Sequence, residues 1–216
     1  LKTPLASLCE GAELLAEGVV GPALNPAQRE IVSIVQQNSK ELQRLIENLL
    51  DYNQLLHRAD VRPREVALAP LVAEIVDSHR LGFKRHGLAP VLRDEQSHWV
   101  LDAGKLRAAL DNLVSNAANY ASQDSEVLIH WRVHRDMLEI DVANHGSVIP
   151  ADETERIFEP FFQCSTGRRG SIKGSGIGLS VARECIESQG GSLRLVQRKP
   201  YSTCFRVTLP RLEEPA

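Results

Sequence analysis

"DNLVSNAANY", residues Asp111 to Tyr120, carries three asparagines within eight positions of a segment whose apolar residues keep helical spacing. Asp102 stands where an N-cap belongs, and Leu106, Leu110, Leu113 and Ala117 form one stripe, so the pattern predicts a helix from Asp102 to about Ala121. Asn112, Asn116 and either Asn119 or Tyr120 recur at i, i+4 and i+7 or i+8, which sets them on one face beside that stripe. Asparagine is a mediocre helix former, so three of them ask for a reason. A carboxamide oxygen is a hard, neutral ligand suited to Mg²⁺, an ion that keeps several waters and takes substrate phosphates into its shell. A solvated polar face would show the same spacing.

Downstream, "KGSGIGLSVA", Lys173 to Ala182, has glycines at alternate positions leading into an apolar helical pattern. A dinucleotide fingerprint needs a strand directly ahead, whereas Ser165 to Lys173 is polar and rich in Gly and Arg. A P-loop needs Lys and Ser or Thr after its last glycine, and Gly178 is followed by Leu179. What remains is general: glycines bring backbone N–H groups close to an anion, and the positive end of the next helix faces the same point.

Around these two segments the pattern is mixed. "REVALAPLVAEIVDSHRLGF" reads as a short strand and then a helix with Leu71, Val72, Ile75 and Val76 inward. Short strands follow at Ala89 to Leu92 and His98 to Leu101. Glu126 to Arg135 with Met137 to Val142 reads as a hairpin, and Ser192 to Gln197 with Thr203 to Leu209 as another. Without strict βαβ alternation this predicts an α+β domain, with one layer of helices on a mostly antiparallel sheet.

The chain ahead of it is different. Leu1, Leu5, Leu8, Ala12, Leu15 and Val19 follow a four-three spacing, and "EGVVGPALNP" breaks the helix. Ile31, Val35, Asn38, Leu42, Leu45, Leu49, Tyr52 and Leu56 then repeat the seam. Two helices cannot cover both stripes alone, so a dimeric four-helix bundle is expected. "RADVRPREVA" ends the heptads, which puts a helical hairpin at 1–60 and a second domain at 61–216.

Composition narrows the function. The 216 residues are 43% hydrophobic and 25% charged, with a net charge of −3, which argues against nucleic acid as a partner. Cys9, Cys164, Cys185 and Cys204 lie far apart without a Cys-x-x-Cys pair, so no zinc site or disulfide framework is expected and a reducing cytosol is the simplest setting. No apolar run is long enough to span a bilayer.

In order, "LKTPL", "DNLVSNAANY", "FEPFF" at Phe158 to Phe162 and "GSGIGL" resemble the phosphoacceptor box and the N, F and G2 boxes of sensor histidine kinases of two-component systems. The resemblance covers essentially the whole chain. It implies a dimerisation and histidine-phosphotransfer hairpin followed by an α/β sandwich of the GHKL ATPase type. It also implies transfer of ATP phosphate to a His and then to an Asp of a response-regulator receiver domain, together with phosphatase activity. By this resemblance Asn116 ligates Mg²⁺, and Asn112 and Tyr120 support the phosphates with Asn119 beside them. Gly174, Gly176 and Gly178 form the turn against the triphosphate of ATP, with Lys173, Ser175 and Leu179 in the same box. Arg168 and Arg169 fall in the segment similar to the ATP lid, and Phe158, Phe161 and Phe162 either anchor that lid or are ordinary core. Thr3 lies one turn beyond the place of the acceptor histidine and would position a water for dephosphorylation. That histidine would precede Leu1, so the chain is expected to be a cytoplasmic fragment that does not label itself, of a parent anchored in the inner membrane.

One box departs from the family. "VANHGSVIP", Val142 to Pro150, holds the place of the G1 box, where an aspartate usually accepts a bond from the adenine amino group. Asn144 stands for that aspartate, Gly146 remains, and Val148 replaces a second glycine. A neutral acceptor makes the weaker bond. The alternative is therefore a nucleotide-poor dimerising module that regulates a partner kinase or a response regulator. A GHKL ATPase of another kind fits less well, because of the paired heptads.

Overall fold

The computed structural model describes residues 11, 13–15, 24–36, 38–39, 61–93, 98–165 and 175–213. The chain divides into two compact units, Leu1–Gln54 and Leu55–Ala216.

In the first unit the helix at 26–36 starts where the sequence carries a full N-terminal signal. Gln28 N donates to Asn25 Oδ1 (2.9 Å) while Asn25 N donates to Gln28 Oε1 (2.9 Å), a reciprocal cap, and Pro26 occupies the first helical position. Ile31 and Val35, both on the expected seam, are 61% and 41% exposed in the single chain. Most of the first predicted helix, and the second beyond Ser39, lie outside the described residues.

The second unit opens with β1 (Arg64–Ala67), α1 (Leu68–Ser78), α2 (Arg80–Arg85), β2 (Ala89–Arg93) and β3 (His98–Leu101). It continues with α3 (Ala103–Tyr120), β4 (Glu126–His134), β5 (Met137–Asn144), a 3₁₀ turn at Arg156–Phe158, α4 (Gly178–Glu187), β6 (Ser192–Leu195) and β7 (Thr203–Pro210). The main sheet has the order β2-β4-β5-β7-β6 and is antiparallel except for β2 beside β4. A second sheet, which the sequence pattern does not announce, pairs β1 with β3. The predicted helix after β1 breaks at His79, whose backbone leaves helical geometry between α1 and α2.

Period-two alternation sorts the main sheet. Ile129 and Trp131 of β4, Ile140 and Val142 of β5, and Phe205 and Val207 of β7 share one face through the strand register. The Phe205 ring meets Phe158 edge-on, and the Arg183 guanidinium of α4 lies 3.8 Å from the Phe158 ring centroid, so this is the face that the helices cover. Leu106, Leu110, Leu113 and Ala117 of α3 are buried as the stripe required, and Leu71, Val72, Ile75 and Val76 of α1 are buried with them.

Asp102 caps α3 with one oxygen, accepting from Lys105 N (3.0 Å), and accepts Arg62 N (2.9 Å) with the other. Its own N–H donates to Gln189 Oε1 (2.8 Å), just past the end of α4. The first turn of α3, the end of α4 and the segment leading into β1 thus meet at one residue, the first and last at its carboxylate and α4 at its backbone N–H.

The opposite sheet face is charged. Asp141 is 2% exposed and receives two hydrogen bonds from Arg206 (2.7 and 2.8 Å) and one from Arg198. Burial pushes its carboxyl up, but the hydrogen bonds and charges of Arg206 and then Arg198 outweigh this and hold it below the ordinary value of 3.8. Breaking one side of a buried pair costs about 3–5 kcal/mol. Arg198 and Arg206 are 24% and 28% exposed, so water offsets part of that. Asp141→Asn should therefore cost about 2 kcal/mol at neutral pH. A lowered carboxylate contributes its stability above its unfolded value and loses it as pH falls through the lower folded one. The gap between wild type and variant in denaturant unfolding should accordingly be full at pH 7 and shrink below about pH 4. An equal gap at both pH values would contradict this account.

Candidate functional site

The site is built along the C-terminal half of α3. Asn112 donates from Nδ2 to Ala108 O (2.9 Å), which fixes its amide and leaves Oδ1 directed at Gly178, the first residue of α4. The fit is close: a Cβ at position 178 would lie 2.7 Å from that oxygen. Asn116, one turn on, is half-buried and has no hydrogen bond among the described residues. Asn119 and Tyr120 are exposed, and Asn119 Nδ2 reaches only Ser115 Oγ at 3.5 Å. The asparagine face therefore grades from half-buried at Asn112 and Asn116 to open at the helix end.

The segment after β5 closes the other end. Ala121 bridges Gly146, and Ser122 N donates to His145 O. A Cβ at 146 would lie 2.1 Å from Tyr120 O, so only glycine lets this segment reach the helix end. The α3 positions touched by Gly178 and by Gly146 are eight residues apart, about 12 Å along the helix. Asn116 lies midway between them.

The glycine turn is shaped by backbone. Gly176 has φ +70°, and its carbonyl accepts from Phe161 N (2.8 Å). A Cβ there would come within 2.7–2.9 Å of the Phe161 and Phe162 backbone. Ser175 Oγ accepts from Ile177 N (3.3 Å), and Leu179 is half-buried in the first turn of α4. Among the described residues no side chain caps α4, which leaves its leading N–H groups to a ligand. The three phenylalanines divide: Phe158 is core, whereas Phe161 is 57% exposed with φ +66°. Thr3, Arg168, Arg169, Lys173 and Gly174 lie outside the described residues.

Asn144 ends β5 and is 4% exposed, flanked in the sheet by Val127 and Thr203. Val148 is 65% exposed, so its side chain fills no part of the interior. The sequence gives no notice of Ser202 and Thr203. Ser202 Oγ accepts from Gly146 N (2.7 Å) and lies within donating reach of Gly146 O (2.9 Å) and Asn144 O (3.3 Å). Thr203 Oγ1 donates to Ser147 O (3.3 Å). These hydroxyls hold the segment after β5 from 56 or more residues away, and the only local sign of them is a Ser-Thr pair at the start of a strand.

Residues 101–213 match the family model of the histidine kinase-, DNA gyrase B-, and HSP90-like ATPases. The chain belongs to that family. Residues 1–58 match the His Kinase A (phospho-acceptor) domain, so the chain has the layout of a histidine kinase transmitter. It is similar to the sensor histidine kinase GlrK of Escherichia coli (strain K12), at 44% identity over 210 residues, covering 97% of this chain and 44% of that protein. To the sensor protein VanSC of Enterococcus gallinarum it is 29% identical over 222 residues, covering 98% of this chain and 58% of the relative. The chain thus spans about half the length of these relatives.

Among solved structures, full-length ShkA in complex with AMPPNP has a TM-score of 0.73 at 22% identity, with 100% of this chain and 44% of that one covered. The Acinetobacter baumannii histidine kinase AdeS has a TM-score of 0.70 at 16% identity, with 97% and 96% covered. These show a shared fold, a phosphoacceptor hairpin followed by a GHKL-type sandwich. No helix among the described residues of this transmitter is long and apolar enough to cross a membrane.

The glycine geometry is open to test. Gly176→Ala should destabilise the chain by more than about 2 kcal/mol, because it adds left-handed strain to a backbone collision. Gly82→Ala in α2, where the nearest atom is 3.9 Å from the added carbon, should instead stabilise it by about 0.5–1 kcal/mol. Thermal unfolding of both variants checks the contrast, and similar shifts of one sign would refute it.

Proposed function

We propose that this transmitter binds Mg²⁺-ATP along α3 and serves as the phosphotransfer core of a sensor histidine kinase, passing the terminal phosphoryl group to a histidine and then to a response-regulator aspartate. The observation that carries the reading is the framed asparagine face, with the Gly178 contact at one end and the Gly146 bridge at the other. The donor set fits the ligand. Asn116 offers an uncommitted carboxamide, Asn112 an oxygen beside the glycine turn, and α4 an uncapped N-terminus. Asn116 would hold the metal, which when bound neutralises charge on the phosphates. Asn112 would orient the triphosphate from the far side of the turn, with Gly174, Gly176 and Gly178 admitting it to the backbone N–H groups. Asn144 and Gly146 would receive the base.

Titration calorimetry with ATP, with and without Mg²⁺, tests the assignment. Asn116→Ala should weaken Mg²⁺-ATP by tenfold or more, on the order of 1.4 kcal/mol, and metal-free ATP much less. Equal weakening of both would remove the metal role. Absence of any binding by wild type would favour the second reading, a nucleotide-poor interaction module, for which Asn144 in place of an acidic residue is the specific support.

The hairpin would form a homodimer. Exposed seam residues Ile31 and Val35 leave apolar surface in water at about 25 cal/mol per Å². Sedimentation should show dimers at roughly tens of micromolar, and a Leu45→Glu, Leu49→Glu variant should be monomeric. A monomeric wild type would sink the bundle.

A further inference from the structure

Asn144 is a buried polar residue near the α3 cleft whose carboxamide no other described residue uses. It is 4% exposed, and among the described residues its carboxamide has no hydrogen bond, although its backbone carbonyl is reached by Ser202. Strand alternation puts it on the helix-covered face of the sheet with Val142 and Ile140. Gly146 beside it matters for access, since a Cβ there would sit 2.8 Å from the Asn144 Nδ2. The neighbouring hydroxyls that could have locked the amide are committed elsewhere, Ser202 to the backbone of Gly146 and Thr203 to Ser147 O. The residue is buried as a whole, yet neither amide atom is among the fully buried unpaired ones, so the carboxamide reaches solvent and is open to a ligand there.

We propose that Asn144 reads the nucleotide base without distinguishing a 6-amino from a 6-oxo purine, so that this site accepts ITP about as well as ATP. The inference rests on the nucleotide reading above and concerns only its base end. Adenine presents a donor, the 6-amino group, beside an acceptor at N1. Hypoxanthine presents the reverse, an acceptor at O6 beside a donor at N1. A carboxamide carries one donor edge and one acceptor edge on a planar group, so turning it over matches either pattern. A carboxylate carries acceptors alone; set against position 6 of the base it accepts from a 6-amino group and repels a 6-oxo one. The missing protein partner is what gives the proposal its force. A hydrogen bond from Ser202 or Thr203 to the amide would fix one orientation and select one base, and neither is made.

The experiment compares ATP and ITP on the whole chain by calorimetric titration at fixed Mg²⁺. Wild type should bind the two within about fivefold, a difference on the order of 1 kcal/mol. Asn144→Asp should tighten ATP several-fold and bind ITP at least about tenfold more weakly than ATP. Asn144→Ala should weaken both nucleotides alike. A wild-type preference for ATP over ITP of more than about fiftyfold overturns the inference and leaves nucleotide binding standing. An Asn144→Asp variant that still binds both equally shows that position 144 does not read the base. If wild type binds neither nucleotide, the nucleotide site itself is wrong and this inference falls with it. The wild-type comparison decides the matter even where a variant fails to fold.

Discussion

Asn112 and Gly178 share a space too small for a methyl group, and the arrangement of the second unit follows from that contact. Because a Cβ at 178 would lie 2.7 Å from the Asn112 oxygen, any larger residue at the start of α4 would push the Asn112 amide out of its place against α4. That close start lets Val181, Ala182, Cys185 and Ile186 reach the core beside α3, and it aims the uncapped end of α4 along the asparagine face. Gly146 repeats the arrangement at the other end of the helix, where Tyr120 O occupies the place of a side chain. Two missing side chains therefore set the length of the cleft, and the polar residues between them inherit their setting from it.

Much of this was legible because it is local. The cap at Asp102, the 3.6-residue stripe through Leu106 to Ala117 and the two hairpins are written in adjacent residues, and they stand where the pattern put them. The parallel pairing of β2 with β4 and the separate β1–β3 sheet join segments whose relation no local period records. The break between α1 and α2 at His79 carries no Gly or Pro at the break itself. At the site the same division holds. Asn112, Asn116 and the glycines were visible as spacing on one helix and in one turn, whereas Ser202 and Thr203 enter only through the antiparallel register of β7 against β5. The openness of the Asn144 amide is likewise a property of what surrounds it in space, not of its neighbours in sequence.

The two sheet faces divide the work of the fold. The helix-covered face is apolar and ends at Asn144, while the opposite face buries Asp141 between Arg206 and Arg198 and continues through Glu139, which accepts from Arg132 (2.7 and 2.9 Å). On that second face Cys204 packs with Leu128 and Ala143 beneath Val91, Val196 and Tyr201, and burial pushes its thiol up to about 12. Cys185, on α4, is raised by burial to about 11. Both sulfurs are thus protonated near neutrality and serve as small apolar side chains rather than nucleophiles.

Asp102 gives the second unit a mechanical character. Its two oxygens fasten the backbone at Arg62 and the first turn of α3, and Gln189 ties its N–H to the end of α4. The peptide that leads into β1 is therefore bolted to the helix that carries Asn112 and Asn116, not merely tethered to the strand that follows it. A pull on the chain at residue 62 is borne by both helices at once, as a load on a hinge pin is borne by both leaves.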